Sequence, residues 1–261
     1  MPTDTIHWPS YFVQFFALLR DSIGRLVRAP THPQRKEALR RLVRHTLLLT
    51  AILGSCVVAL MIFVDTQEIA LMPARGTLSL WPVRIFTDFG KDAYALWLLA
   101  GILISIAFAS PALAATTRAR WLDIFAGVQY LFLAVLVPVL VAEPIKWAVG
   151  RGRPFVGGGA NAFNFAPFSG TEAHFSFPSA HAVTGFALAV AVGALWPRAR
   201  PVMLVYAVLI AASRLVLLAH HPSDVVAGAL IGVLGAMAVR YWFAARQLGF
   251  AIHSDGKIVP L

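Results

Sequence analysis

The 261-residue chain has little charge: 13% of its residues are Asp, Glu, Lys or Arg, against about 25% in an ordinary soluble domain. With 59% hydrophobic residues and a mean hydropathy of +0.73, that scarcity excludes an ordinary water-soluble core. Cysteine is nearly absent. The single Cys56 lies inside an apolar run, which excludes an intramolecular disulfide and leaves the redox compartment open. No cleavable signal peptide is expected, because the first long apolar run begins near residue 46 without a small-residue cleavage site. Internal repeats and low-complexity tracts are also missing.

What is present is a series of apolar runs long enough to cross a bilayer, roughly 20 residues each. Six spans are expected, near 46–64, 93–110, 122–142, 180–196, 201–219 and 223–243. The fold class is therefore all-α, a six-transmembrane-helix bundle with an N-terminal interfacial amphipathic segment. Residues 5–28 mix aromatics with Arg, as an interfacial helix does. The expected organisation is a basic cytoplasmic segment at 1–45, a six-span domain at 46–247 and a cytoplasmic tail at 248–261. The Gly- and Phe-rich stretch 150–178 reads as a mobile, membrane-adjacent lid.

Acidic residues are few, 12 against 22 Lys and Arg, giving a formal charge of +10. Eight of the basic residues (Arg20, Arg25, Arg28, Arg35, Lys36, Arg40, Arg41 and Arg44) precede the first long apolar run. A cluster so placed reads as a cytoplasmic anchor to anionic lipid rather than a nucleic-acid arm. With the N-terminus inside, 15 of the 22 fall on the inner side, including Arg118, Arg120, Arg198, Arg200, Arg240, Arg246 and Lys257. The other seven, Arg75, Arg84, Lys91, Lys146, Arg151, Arg153 and Arg214, fall outside against the bias and need a cause.

Three clusters at the outer span ends supply one. The first is Lys146-W-A-V-G-R-G-Arg153-Pro154, in which two glycines and a proline imply a helix end presenting cations. Two snorkelling interfacial cations would look the same. The second lies within HFSFPSAH at 174–181, where Pro178-Ser179 precedes a helical run. Backbone amides at a helix start attract phosphate, although Ser179 could be a plain cap and His181 a satisfied interior histidine. The third is Ser213-Arg214-L-V-L-L-A-His220-His221-Pro222-Ser223-Asp224. His220 is close enough to Asp224 for the carboxylate to fix its tautomer. Arg214 interrupts an apolar run, where a charge costs about 3 kcal/mol and marks a functional site. Each cluster alone has a bland explanation; cations, helix-start amides, two histidines and an aspartate on one membrane face together form a phosphate-handling inventory.

These residues resemble the three-part signature of the type 2 phosphatidic acid phosphatase superfamily, the lipid phosphate phosphatases: K-x6-R-P, P-S-G-H and S-R-x5-H-x3-D. They read here as K-WAVGRG-RP at 146–154, PSAH at 178–181 and SR-LVLLA-H-HPS-D at 213–224. Ala180 stands where the family usually has Gly. The resemblance implies that His220 is the nucleophile forming a phosphohistidine and that Asp224 orients it. It further implies that His181 protonates the leaving alcohol and then activates water. Lys146, Arg153, Ser179, the Ala180 amide and Arg214 would hold the phosphoryl oxygens. No metal or other cofactor is implied. His220 rather than His221 fits both spacings; His174 and Arg151 lie near without an assigned role.

The resulting expectation is an integral membrane phosphatase of bacterial inner-membrane type, with both termini cytoplasmic and the site facing the periplasm. Its partner would be a membrane lipid phosphate: undecaprenyl diphosphate, phosphatidylglycerol phosphate, phosphatidic acid or a lipid A phosphate. A lipid phosphotransferase would share the intermediate. An anion or lipid transporter would show polar residues deeper in several spans and inverted repeats, and a metalloenzyme would use His174, His181, His220 and Asp224 as ligands. Oligomeric state and the choice of lipid leave no pattern in the sequence.

Overall fold

The computed structural model describes residues 8–74, 76–113 and 115–261. The first residues of the expected interfacial stretch, Arg75 and the side chain of Arg118 lie outside the described residues. The described chain is mainly helical. Helix α1 is Trp8–Val27 and α2 Arg35–Phe63, followed by the short α3, Asp65–Leu71, and α4, Trp81–Asp88. The remaining helices are α5 Asp92–Ala109, α6 Ala115–Val149, α7 Ala180–Leu195, α8 Arg200–Val216 and α9 Pro222–Ala245.

All six expected spans fall on helices, but they differ in reach. Five helical segments, 35–63, 78–112, 120–149, 197–216 and 222–245, are long and apolar enough to cross a membrane. Helix α7 is not. Its 16 residues rise about 24 Å, short of the roughly 30 Å hydrocarbon core. The reason is its place in the bundle: none of its residues is exposed, and α6, α8 and α9 all pack against it. A helix sheathed by protein has no need to match the lipid.

Small residues make that central packing possible. Ala182, Ala187, Ala191 and Ala236 are fully buried, and a Cβ on Gly232 would stand 2.3 Å from the Val183 carbonyl oxygen. Close backbone approach through small side chains is the usual way helices associate in lipid, where apolar burial supplies little drive. At the other extreme, α2 exposes Leu47, Ile52, Val58 and Ile62, as an outer, lipid-facing helix should.

Helix α2 is continuous from Arg35, so Arg35, Lys36, Arg40, Arg41 and Arg44 form the first turns of an apolar helix. Helix α1 packs against the far end of α5: Phe15 stacks on Phe108 at 4.8 Å, and the Trp242 indole of α9 donates to the Leu26 carbonyl. The C-terminal stretch departs from the all-α expectation. Strands β1, Phe250–Ile252, and β2, Ile258–Pro260, pair antiparallel. Phe250 and Ile252 are buried, with the Phe250 ring 4.8 Å from that of Tyr130 on α6. Burying those two apolar side chains anchors the hairpin to the bundle.

Candidate active site

The first cluster begins where α6 ends. Gly150 follows the helix with φ +55°, and a Cβ there would collide with the Ala166 carbonyl at 2.1 Å, so only glycine permits this turn. The chain beyond it folds back on itself. Gly150 accepts from Ala166 N, Gly152 donates to Asn164 O, Arg153 donates to Ala173 O and Ser176 donates to Arg151 O. Motif one is thereby stitched to the segment leading into motif two.

At the centre lies Arg151, completely buried. Its guanidinium reaches Asp224 at 2.6 Å, Asp65 at 2.8 Å, the Ser223 hydroxyl at 2.6 Å and the Ala162 carbonyl at 2.7 Å. A buried charge is tolerable only when paired and fully hydrogen-bonded, and Arg151 meets both conditions. Asp65, at the start of α3, also accepts from the Ser223 amide at 3.0 Å and from the Ser223 hydroxyl. Beside it, Glu68 is buried with no hydrogen-bond partner among the described residues. Burial, then Asp65 and then Asp224, push its carboxyl up to about 7. With one arginine against two aspartates already present, a third negative charge is disfavoured.

Asp224 links the motifs rather than touching His220. Its carboxylate accepts from Arg151, from the Ser176 hydroxyl at 2.5 Å and from the His221 amide at 2.9 Å, while its carbonyl accepts from the Ser179 amide at 3.0 Å. The expected direct Asp224–His220 contact is therefore corrected. The His220 Nδ1 lies 2.7 Å from the Ser176 carbonyl. A carbonyl can only accept, so Nδ1 carries the proton and Nε2 keeps its lone pair. Asp224 fixes His220 through Ser176, because the α9 first turn turns the carboxylate toward the buried Arg151.

His220 is buried just before α9. Burial, followed by the charges of Arg214 and Arg153, holds its imidazole well below the ordinary value of 6.5. Arg214, near the end of α8, donates to Thr87 Oγ1 at 2.9 Å, and Ser213 donates to the same hydroxyl. Helix α4 thus covers the third cluster. A cavity of about 290 Å³ lies here, walled by Arg84, Thr87, Asp88, Arg153, Arg214 and Ala219, the residue preceding His220.

Of the sequence-selected residues, the structure gathers Arg153, Arg214, His181 and His220 into one electrostatic neighbourhood. Ser179 caps α7 with its hydroxyl buried and without a partner among the described residues. Ala180 opens α7 in ordinary helical backbone and is only partly buried, so its methyl group is accommodated. Lys146 does not join them: its ammonium pairs with Glu143 at 2.5 Å and it does not line the cavity. His174 bonds Thr171 at 3.0 Å, and His221 is the buried N-cap residue of α9. Sequence reasoning missed Asp65, Thr87 and Ser176 and gave Arg151 no role. Arg151 and Asp65 carried one available signal, a charge at the edge of an apolar run; Thr87 and Ser176 carried none.

The profile of the PAP2 superfamily matches residues 126–248, which hold all three clusters. Lipid A 1-phosphatase of Rhizobium johnstonii is 33% identical over 175 residues, covering 66% of this chain and 71% of that protein. Decaprenylphosphoryl-5-phosphoribose phosphatase of Mycobacterium tuberculosis is 34% identical over 175 residues, with 67% and 84% covered. Phosphatidylglycerophosphatase B of Escherichia coli is 41% identical over a shorter 83 residues, 30% of this chain and 32% of that one. No solved structure matches.

Proposed function

The chain belongs to the PAP2 superfamily of membrane phosphatases, and from that premise we propose that it removes phosphate from a lipid headgroup through a phosphohistidine at His220. The observation that carries the reading is the His220 Nδ1 to Ser176 carbonyl bond beside Arg153 and Arg214. It leaves a neutral imidazole with its Nε2 lone pair available, next to two cations suited to phosphoryl oxygens.

In the proposed reaction His220 Nε2 attacks phosphorus and the bond from phosphorus to the lipid oxygen breaks. His181 takes up a proton along with the phosphate-bearing substrate, whose negative charge favours the imidazolium, and gives that proton to the departing alkoxide. Water then attacks the phosphohistidine, passing a proton to His181, and inorganic phosphate leaves. Arg153, Arg214, the Ser179 hydroxyl and the Ala180 amide stabilise the charge on the transferring group. Lys146 joins them only by exchanging its partner Glu143. No step calls on a metal.

The substrate proposed first is a lipid A phosphate, because lipid A 1-phosphatases of two Rhizobium species align over 66% of this chain. The site would face the periplasm of an inner-membrane protein whose termini lie in the cytoplasm, as the basic-residue bias implies. The test is phosphate release by purified protein across lipid A, phosphatidylglycerol phosphate, phosphatidic acid and undecaprenyl diphosphate, with His220→Ala as control. Release from none of them overturns the proposal. Release that depends on an added acceptor replaces hydrolysis with phosphotransfer.

A further inference from the structure

A second, larger cavity lies at the end of the bundle opposite His220. It measures about 570 Å³, within the roughly 300–1,000 Å³ usual for ligand sites. Its basic lining comes from four parts of the chain: Arg41 and His45 of α2, Arg200 at the start of α8, Arg240 of α9 and Lys257 in the C-terminal hairpin. Arg200 and Arg214 lie fourteen positions apart on α8, about 21 Å, so this cavity is separate from the candidate active site.

Its charge is unbalanced. No Asp or Glu stands among the described residues that line it. Arg240 Nε is buried and without a hydrogen-bond partner among the described residues. Arg200 donates through Nε to the Gly193 carbonyl at 2.8 Å, which pins the side chain but neutralises nothing. Asp255 approaches Arg41 at 3.6 Å, yet it is itself largely exposed and also accepts from the Lys257 amide. Four cations gathered around one hollow give it a positive potential that favours an anion.

The rest of the wall is apolar, including Phe186, Val190, Leu204, Val233 and Met237. Leu204 is 54% exposed on the outer side of α8, so the hollow borders the surface that meets lipid. A basic pocket between transmembrane helices, with an apolar side toward the acyl chains, fits a phospholipid headgroup. From this arrangement we infer that the cavity binds the phosphate of an anionic phospholipid from the leaflet opposite the active site. Arg41, Arg200, Arg240 and Lys257 hold the phosphate, and the apolar wall receives the start of the acyl chains. Because α2, α7, α8, α9 and the hairpin all contribute, an occupant ties the N- and C-terminal parts of the chain together.

The inference is tested by thermal unfolding of the full chain purified in detergent. Added phosphatidylglycerol is expected to raise the midpoint saturably, while equal phosphatidylcholine or inorganic phosphate leaves it in place. Arg240→Gln and Lys257→Gln are each expected to raise the half-saturating lipid concentration about tenfold, near 1.4 kcal/mol. Lys257 is exposed on a turn, so its variant keeps the fold even where the arginine variant does not. Arg214→Gln, at the other end, is expected to retain the full lipid-induced shift. Equal effects of phosphatidylcholine overturn the inference, as do wild-type half-saturation in both variants or loss of the shift in Arg214→Gln. An equal shift with inorganic phosphate overturns the lipid as the source of the anion.

Discussion

Arg151 and Asp224 form an ion pair of 2.6 Å in which neither side chain retains any exposure to solvent. The pair joins the first cluster to the third, and Asp65 extends it to the chain segment after α2. A stretch outside the residues matched to the family profile thereby becomes part of the support beneath the candidate nucleophile.

Arg151→Ala is expected to destabilise the fold by about 3–5 kcal/mol, since it strands two buried aspartates. Thermal unfolding checks this directly. Arg151→Lys keeps the charge but cannot reach Asp65, Asp224 and the Ala162 carbonyl at once, so it is expected to recover only part of the loss.

Asp224→Asn and Ser176→Ala separate positioning from chemistry. Both disturb the Ser176–Asp224 bond, but Ser176→Ala keeps the backbone carbonyl that orients His220. Asp224→Asn is expected to lower kcat about 10–100-fold with little change in KM, and Ser176→Ala to lower it less. Steady-state kinetics on the best lipid phosphate decide the ranking.

Phosphatase activity is expected to persist to acidic pH. Burial, reinforced by Arg214 and Arg153, keeps His220 unprotonated well below the ordinary histidine value. The acidic limb of kcat/KM therefore lies below about 6.5. Removing a cation eases protonation, so Arg153→Gln is expected to move that limb toward higher pH. A limb that stays fixed in the variant contradicts this assignment.

Glu68 makes stability depend on pH in the opposite sense to a salt-bridged carboxylate. Its carboxyl titrates near 7 in the folded protein against an ordinary value of 4.5. Between those values the folded chain holds a proton that the unfolded chain has released, so stability falls as pH rises from about 4.5 to about 7. Glu68→Gln is expected to flatten that fall and raise stability at pH 8 by about 1–3 kcal/mol. Unfolding midpoints from pH 5 to pH 8 measure both effects.

Where residues acted through local chemistry, the sequence was legible. Apolar runs marked every membrane helix, since lipid demands apolar length, and Pro178-Ser179 and Pro222 marked helix starts by their backbone constraints. Arg153, Arg214, His181 and His220 were recognisable because polar groups at span ends are costly without a use. Helix α7 occupies the expected 180–196 almost residue for residue, and its burial by its neighbours lets it be shorter than the other five. Lys146 was read toward the phosphate, whereas Glu143, one helical turn back, holds it.

The sequence by itself determined the membrane class and the three clusters, which follow from composition and short-range spacing. The candidate nucleophile rests on the resemblance of those clusters to the lipid phosphate phosphatases. Only the tertiary structure decided how His220 is held. That choice depends on Ser176, Arg151 and Asp65, which lie 44, 69 and 155 positions away in the chain. Which carbonyl meets an imidazole, and which carboxylate a buried guanidinium, is settled by helix packing. Satisfying every buried charge is a condition on the whole fold.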